Sequence, residues 1–320
     1  MALVLTLTPN PMIDISASVG RVEAIRRLRC GLSSRDPGGG GINVARVARR
    51  LGAEAVALYP AGGFAGQQLE QLVRREGVGS VVTMIEGDTR EDFTVLDETT
   101  HEEYRFVLPG PHLHDREWMQ CLEALANFPR KPDFICASGD LPPGAPTDFY
   151  ARVADIAEMH GVRFALDTSG PALKSALRAR VHLVKPNLSE LRELVSGALD
   201  EEGCLIEACR TLIAGGRTAM VALTLGADGA LLVTPDRAWR AQPLDIRPLS
   251  TVGAGDSFLG AMVWALATRL SPVEAFAYGA AAGAAALIVH GTQLSHAVTV
   301  RRFLAQVVVE PVGDDIAVTT

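Results

Sequence analysis

The sequence predicts an α/β fold in three layers, a mostly parallel central sheet between two layers of helices, with a small β-sheet lid added to it. Three observations carry that prediction. Short β-rich runs alternate with helical patterns along most of the 320 residues, as strand–helix–strand crossovers require. Two segments, about 15–36 and 88–108, break the alternation with period-two runs that carry charges. Hydrophobic residues make up 48% of the chain, enough for a sizeable core without disulfides or metal.

The elements follow in order. Residues 3–8 read as the first strand, 42–51 as a helix and 55–59 as a strand. Residues 67–76 read as helical and 81–85 as extended. The stretch EDFTVLDETTHEEYRFVL holds two alternating runs around residues 97–101, a hairpin. Together with residues 15–36 it is assigned to a lid inserted in the α/β core; a plain surface hairpin is the competing reading. Residues 134–137 form a short buried strand, 147–160 a helix and 163–167 a strand. Residues 183–185 are a strand, 189–195 and 201–214 helices, and 220–225 a strand. In TLGADGA, residues 224–230, a tight glycine turn leads into another strand. Residues 257–266 alternate small and large apolar side chains, as a packed helix does. AFAYGAAAGAAALIV, residues 275–289, is too short and too rich in Ala and Gly to span a bilayer and reads as a buried helix. The tail from Glu310 is polar and acidic and is expected to be loosely held. With no repeat and no low-complexity linker, residues 1–320 read as one domain.

The bulk numbers exclude several classes. A net charge of −7 argues against a nucleic-acid surface, which needs clustered Lys and Arg. The start, MALVLTLTP, lacks the basic segment and long apolar run of a secretion signal, and no membrane association is expected. Five scattered cysteines without CxxC spacing suggest reduced thiols in a cytoplasmic protein.

Four stretches could carry chemistry. In STVGAGDSFLGAMV, residues 250–263, Asp256 follows Gly253, Ala254 and Gly255 at a helix start. A helix N-terminus attracts anions. A carboxylate there makes sense if it handles a proton while the backbone amides handle an anion. In PGGGGINVARVARRLG, residues 37–52, four glycines including Gly39 and Gly40 precede a helix whose first turn holds Asn43. A turn explains one or two glycines; four favour close approach of a polar ligand. This loop does not follow the first strand, which ends in Pro9-Asn10-Pro11, so a dinucleotide fingerprint fails, and no phosphate-binding G-x-x-x-x-G-K-[ST] loop occurs. In VKPNLSEL, residues 184–191, Asn187 and Glu190 lie three apart. They could serve Mg²⁺ or simply form a capping box, and on spacing alone the capping box prevails. TLGADGA alone is only a hairpin signal.

Taken together these motifs resemble the ribokinase-like PfkB carbohydrate kinase family over nearly the whole chain. Within it the likeness is to the 6-phosphofructokinase group, through LRC (28–30), PAGG (60–63), YRFVLPG (104–110), LPPG (141–144) and LVKPN (183–187). The opening TLTPNPMID (6–14) is shared with 1-phosphofructokinases and tagatose-6-phosphate kinases. The resemblance implies a ribokinase-like sandwich and ATP- and Mg²⁺-dependent phosphorylation of fructose 6-phosphate at O1. Tagatose-6-phosphate kinase and 1-phosphofructokinase are the near alternatives, and a non-catalytic sugar-phosphate sensor the remote one. It assigns Asp256 as general base and Gly253, Ala254 and Gly255 as amide donors to the transferring phosphoryl group. Asp14, Gly39, Gly40 and Asn43 would bind the sugar. Lys185 and Asn187 would reach the nucleotide phosphates, Glu190 would organise Mg²⁺ through water with Asn187 beside it, and Thr224, Gly226 and Gly229 would border the nucleotide. Arg90 and Arg105, in the lid, would clamp the sugar phosphate, because a guanidinium binds phosphate in a bidentate way; solvated surface arginines are the bland reading. Arg27 stands where the resemblance implies lysine, and Asp140 where it implies serine. A homodimer through the lids is implied, and K⁺ held by carbonyls near residues 250–252 and 286–291 is an option.

Overall fold

The computed structural model describes residues 1–289, 291 and 293–312. In chain order the strands are β1 (Leu3–Leu7), β2 (Met12–Val19), β3 (Ser34–Gly38), β4 (Glu54–Ala61), β5 (Gly79–Met84), β6 (Arg90–Asp97), β7 (Glu103–Phe106), β8 (Phe134–Ser138), β9 (Arg163–Asp167), β10 (Val181–Val184), β11 (Thr218–Thr224), β12 (Ala230–Val233), β13 (Ala238–Ala241) and β14 (Val309–Val312). The helices are α1 (Gly40–Leu51), α2 (Gly63–Arg75), α3 (Asp115–Ala126), α4 (Phe149–Met159), α5 (Gly170–Ala176), α6 (Leu188–Leu194), α7 (Glu202–Ala214), α8 (Ala254–Ala267), α9 (Pro272–Leu287) and α10 (Ala297–Leu304).

Ten strands make one sheet in the order β14-β13-β12-β11-β10-β9-β8-β1-β4-β5, parallel from β11 through β5 and antiparallel at the β12–β14 edge. Side chains alternate between its faces, so a buried strand feeds two cores. In β8, Ile135 and Ala137 join α3, α4, α5 and α7 on one face, while Phe134 and Cys136 join α1, α8 and α9 on the other. Burial pushes the Cys121 thiol up to about 11 and the Cys209 thiol up to about 12, as core side chains. No helix among the described residues is long and apolar enough to cross a membrane.

The predicted lid is a separate four-stranded sheet, β3-β2-β6-β7. It starts earlier than expected, at Met12, and residues 20–33 form no strand. Gly20 ends the alternation, and the arginine-rich run after it finds no partner strand. The β6–β7 turn is built by Asp97, whose Oδ1 accepts the Thr99 and Thr100 backbone N–H groups at 2.8 and 3.0 Å. The expectation of a loose tail from Glu310 is corrected: Val309–Val312 pairs antiparallel with β13 and closes the sheet edge, because alternate residues there find ladder partners. Residues 313–320 of that tail lie outside the described residues. The periodicity also left α3, α5 and α10 unseparated from their flanks. In α3, Trp118, Cys121 and Leu125 face the core, and Glu117 accepts the His114 backbone N–H at 2.7 Å to cap its start.

One packing contact positions everything that follows. A Cβ at Gly260 of α8 would sit 2.9 Å from the Val44 carbonyl oxygen and the Val47 Cβ of α1. Glycine there lets the two helices touch, and their N-terminal ends meet at the same end of the sheet.

Candidate active site

Asn43, in the first turn of α1, donates from Nδ2 to Asp256 Oδ2 at 2.9 Å. Ser138, the last residue of β8, donates to Asp256 Oδ1 at 3.4 Å. Burial pushes the Asp256 carboxyl up to about 6, with Asp167 adding to it, against the lowering by the Asn43 and Ser138 donors and Lys185. Gly253 precedes α8 with φ 71°, a left-handed turn that turns the chain into the helix. The first turn of a helix leaves its amides without intrahelical acceptors, so the bend at Gly253, Ala254 and Gly255 offers donors beside the carboxylate.

Lys185, just beyond β10, is buried and pairs with Asp167 at the end of β9, at 3.1 Å. Burial opposes its charge, but the Asp167, Glu190 and Asp256 carboxylates hold it above its ordinary value. A Cβ on Gly255 would lie 3.4 Å from Lys185 Nζ, so the ammonium and the glycine bend share one wall. Asn187 and Glu190 do form a capping box for α6: Asn187 Oδ1 accepts the Glu190 N–H at 2.9 Å and Glu190 Oε2 accepts the Asn187 N–H at 2.8 Å. Burial raises the Glu190 carboxyl. Thr224 N donates to the Pro186 carbonyl at 3.0 Å, which places the end of β11 and the turn bearing Gly226 and Gly229 beside this strand end. Gly229, with φ 86°, sits where a Cβ would collide with the Ala241 carbonyl.

The other wall is the lid and the glycine loop. Asp14, on β2, is buried and neither carboxylate oxygen has a hydrogen-bond partner. Burial pushes it up to about 6, moderated by Arg105, whose Nη2 stands 3.9 Å away. A Cβ on Gly38 would collide with the Asp14 carboxylate, and one on Gly40 with Ser138. The glycine loop, with Gly39 at φ 108°, therefore runs between Asp14 and the Ser138–Asp256 pair. Only residues without side chains fit there.

Arg90 and Arg105 do not share a partner. Arg90 Nη1 donates to both oxygens of Asp92 at 3.3 and 3.2 Å and to the Leu108 carbonyl at 3.0 Å. Arg105 pairs across the ladder with Thr94, four residues from Arg90, and keeps 38% of its side chain exposed. Arg27 lies exposed in the loop between β2 and β3. Asp140 is exposed and accepts the Ser169 hydroxyl at 3.0 Å. Leu249 N and Ser250 N both donate to the Leu287 carbonyl, at 2.7 and 3.3 Å, which joins the two segments expected near K⁺; residue 290 of the second lies outside the described residues.

Ser138 and Asp167 escaped the sequence reading. Each ends a parallel strand, at the edge of the sheet where ligands gather in open α/β folds; that position was the one signal available. The assembled groups can draw a proton from a hydroxyl with Asp256 and hold an anion with Lys185 and the glycine-bend amides. They fit a phosphate donor, since a buried ammonium faces a bend that no side chain obstructs. They also fit a polyol, since Asp14 has buried acceptors without donors.

Comparisons with known proteins give the family and the fold. The pfkB family carbohydrate kinase profile matches residues 11–299. The ATP-dependent 6-phosphofructokinase isozyme 2 of Mycobacterium tuberculosis is 42% identical over 314 residues, 98% of this chain and 92% of that protein. Phosphofructokinase-2 from Escherichia coli superposes with a TM-score of 0.91 in complex with potassium, at 35% identity. Its complex with fructose-6-phosphate gives 0.89 at 34%, and its tetrameric inhibited form 0.89 at 35%. Each alignment covers 96% of this chain and 99% of the other.

Proposed function

The chain belongs to the pfkB family of carbohydrate kinases, and on that premise we propose that it is an ATP-dependent 6-phosphofructokinase, acting as one kinase domain in the cytosol. It transfers the γ-phosphoryl group of ATP to O1 of fructose 6-phosphate, releasing ADP and fructose 1,6-bisphosphate. The observation that carries this reading is the carboxylate of Asp256, hydrogen-bonded at 2.9 Å to Asn43 and set on the first turn of α8, beside the buried ammonium of Lys185.

Asp256 takes the proton from the O1 hydroxyl, and that oxygen forms its bond to phosphorus as the bond to the ADP oxygen breaks. Lys185 and the amides of Gly253, Ala254 and Gly255 hold the transferring group, where charge neutralisation and positioning carry most of phosphoryl transfer. Asp14, with Gly39, Gly40 and Asn43, orients the sugar hydroxyls, and the lid excludes water. Arg105 binds the 6-phosphate, with Arg27 as a further cation from the loop. Arg90, tied to Asp92, shapes the lid behind it, and Asp140 borders the sugar from the loop after β8. Thr224, Gly226 and Gly229 border the nucleotide. Mg²⁺, when bound, neutralises phosphate charge; Glu190 would hold it through water, with Asn187 beside it. The carbonyls near residues 250–252 are where K⁺ would sit. Phe93, Tyr104 and Phe106 are exposed on the lid, which supports a homodimer joined there as the basic assembly.

Steady-state kinetics with ATP and a panel of fructose 6-phosphate, tagatose 6-phosphate, fructose 1-phosphate and fructose tests the substrate. The highest kcat/KM is expected for fructose 6-phosphate. A clear preference for fructose 1-phosphate or tagatose 6-phosphate makes the enzyme one of those kinases instead, and binding without turnover makes it a sensor.

A further inference from the structure

We propose that Arg46 and Glu76 are positioning residues: held by Glu76, the Arg46 guanidinium fixes the Asn43 amide in the one orientation that donates to Asp256. The inference rests on the reading of Asp256 as the base.

An asparagine amide has an acceptor end and a donor end of nearly the same shape, so its partners decide which way it points. Here the partners leave no choice. Arg46 Nη1 donates to Asn43 Oδ1 at 3.1 Å, and Asn43 Nδ2 donates to Asp256 Oδ2 at 2.9 Å. A guanidinium can only donate and an ionised carboxylate can only accept. A flipped amide would set N–H against N–H on one side and oxygen against carboxylate on the other.

Arg46 is itself immobilised. Its side chain has no solvent exposure, and it also donates to the Pro37 carbonyl at 3.0 Å, which ties it to the glycine loop. Glu76, which follows α2, accepts from Arg46 Nη2 at 3.1 Å and from Arg50 Nη2 at 2.9 Å; Asp36 stands 3.7 Å from the same guanidinium. Burial works against the Glu76 charge, yet Arg46 and Arg50 hold its carboxyl below the ordinary value. The result is a relay from Glu76 through Arg46 and Asn43 to Asp256. A buried arginine inside α1 is a costly choice for stability alone, because desolvating it must be offset by partners.

The charged and titratable groups facing Asp256 are Lys185, Asp167 and Cys136, and its neutral donors are Asn43 and Ser138. Loosening the Asn43 donor removes a contact that favours the ionised carboxylate, so Asp256 should hold its proton to higher pH. The sign separates positioning from simple charge effects. Removing the Glu76 negative charge would, through space, make Asp256 more acidic; loosening Asn43 makes it less acidic.

The test is kcat against pH for the full-length enzyme with ATP and fructose 6-phosphate, with thermal unfolding measured alongside. The variants are Arg46→Lys, which keeps the charge but loses the fork, and Glu76→Gln, with Asp256→Asn as reference. For Arg46→Lys we expect kcat at neutral pH to fall about tenfold and the acid limb to rise by about half a pH unit, roughly threefold in proton affinity. Glu76→Gln should move the limb the same way by less, and it decides the matter if Arg46→Lys does not fold. An acid limb that stays put or moves down in the folded variants, with only Tm or a pH-independent kcat reduced, overturns the inference alone. A wild-type enzyme inert toward every sugar phosphate, or an active Asp256→Asn variant, overturns the proposed function and this inference with it.

Discussion

Asp256 and Asp14 flank one glycine loop, and burial pushes both carboxyls up to about 6. Their surroundings differ. Asp256 has each oxygen bonded, to Asn43 at 2.9 Å and Ser138 at 3.4 Å, and rides on the start of a long packed helix. Asp14 has neither oxygen bonded and rides on a strand of the small lid sheet, with Arg105 3.9 Å away. Burial raises both, but the lowering comes from different sources, Arg105 and Arg46 at Asp14 and Asn43, Lys185 and Ser138 at Asp256, and the hydrogen bonds decide what each carboxylate can do. A carboxylate gripped at both ends keeps one line of approach open, as a proton acceptor needs. One with free lone pairs waits for donors, as a binder of hydroxyls needs.

The strongest way to break that contrast is Asp256→Asn. In the proposed mechanism kcat falls by about a thousandfold with the sugar KM near the wild-type value; retained turnover would make the gripped carboxylate structural. The same assignment places the acid limb of the wild-type kcat profile near pH 6, where burial puts the Asp256 carboxyl at about 6, measurable between pH 5 and 9. Arg105→Ala should act on the other side of the loop, raising KM for fructose 6-phosphate by about tenfold or more with a smaller change in kcat. A near-normal KM would remove Arg105 from phosphate binding.

Asp14→Asn gives the subtlest result. Sugar KM should rise several-fold, since the amide carbonyl still accepts one hydrogen bond but without the charge. Stability without ligand should move the opposite way. The Asp14 pKa lies above its unfolded value, so wild type carries no penalty below about 4, acquires it as pH rises through about 6, and carries it in full above. The asparagine variant escapes it. Its Tm should exceed that of wild type at pH 8, and the gap should narrow as the pH falls toward 5. A gap that widens on acidification would mean that Asp14 is stabilised as a charge and that the contrast is false.

The cleft was legible where chemistry is local. Gly253 through Asp256 occupy consecutive positions, and Asn43 lies two residues past the last of its glycines, so residue order alone put them on helix starts. Spacing could not separate two equal signals. Ser271 and Glu274 form a capping box at α9 as Asn187 and Glu190 do at α6. Only the second follows Lys185, and what makes that lysine part of a site is tertiary: Asp167 pairs with it at 3.1 Å and the Gly255 bend faces it. Ser138 and Asp167 carried no local mark, because a single polar residue at a strand end looks like any other strand exit. Arg46 lies inside the helix read over residues 42–51 with nothing local to mark it; its partner Glu76 lies beyond the next strand and helix.

Alternation of period two and period 3.6, glycines where the backbone must turn left-handed, and polar residues at helix starts were enough to determine the layers, the presence of a lid and the glycine-led starts of α1 and α8, since each depends on neighbours along the chain. Which ends meet was decided by tertiary structure. The close approach of α1 and α8 at Gly260, and the parallel order of β1, β8, β9 and β10, bring residues more than a hundred positions apart into one dry space. Desolvation is a property of that space and of no residue by itself, so the raised pKa values of Asp14 and Asp256 exist only once the chain has folded.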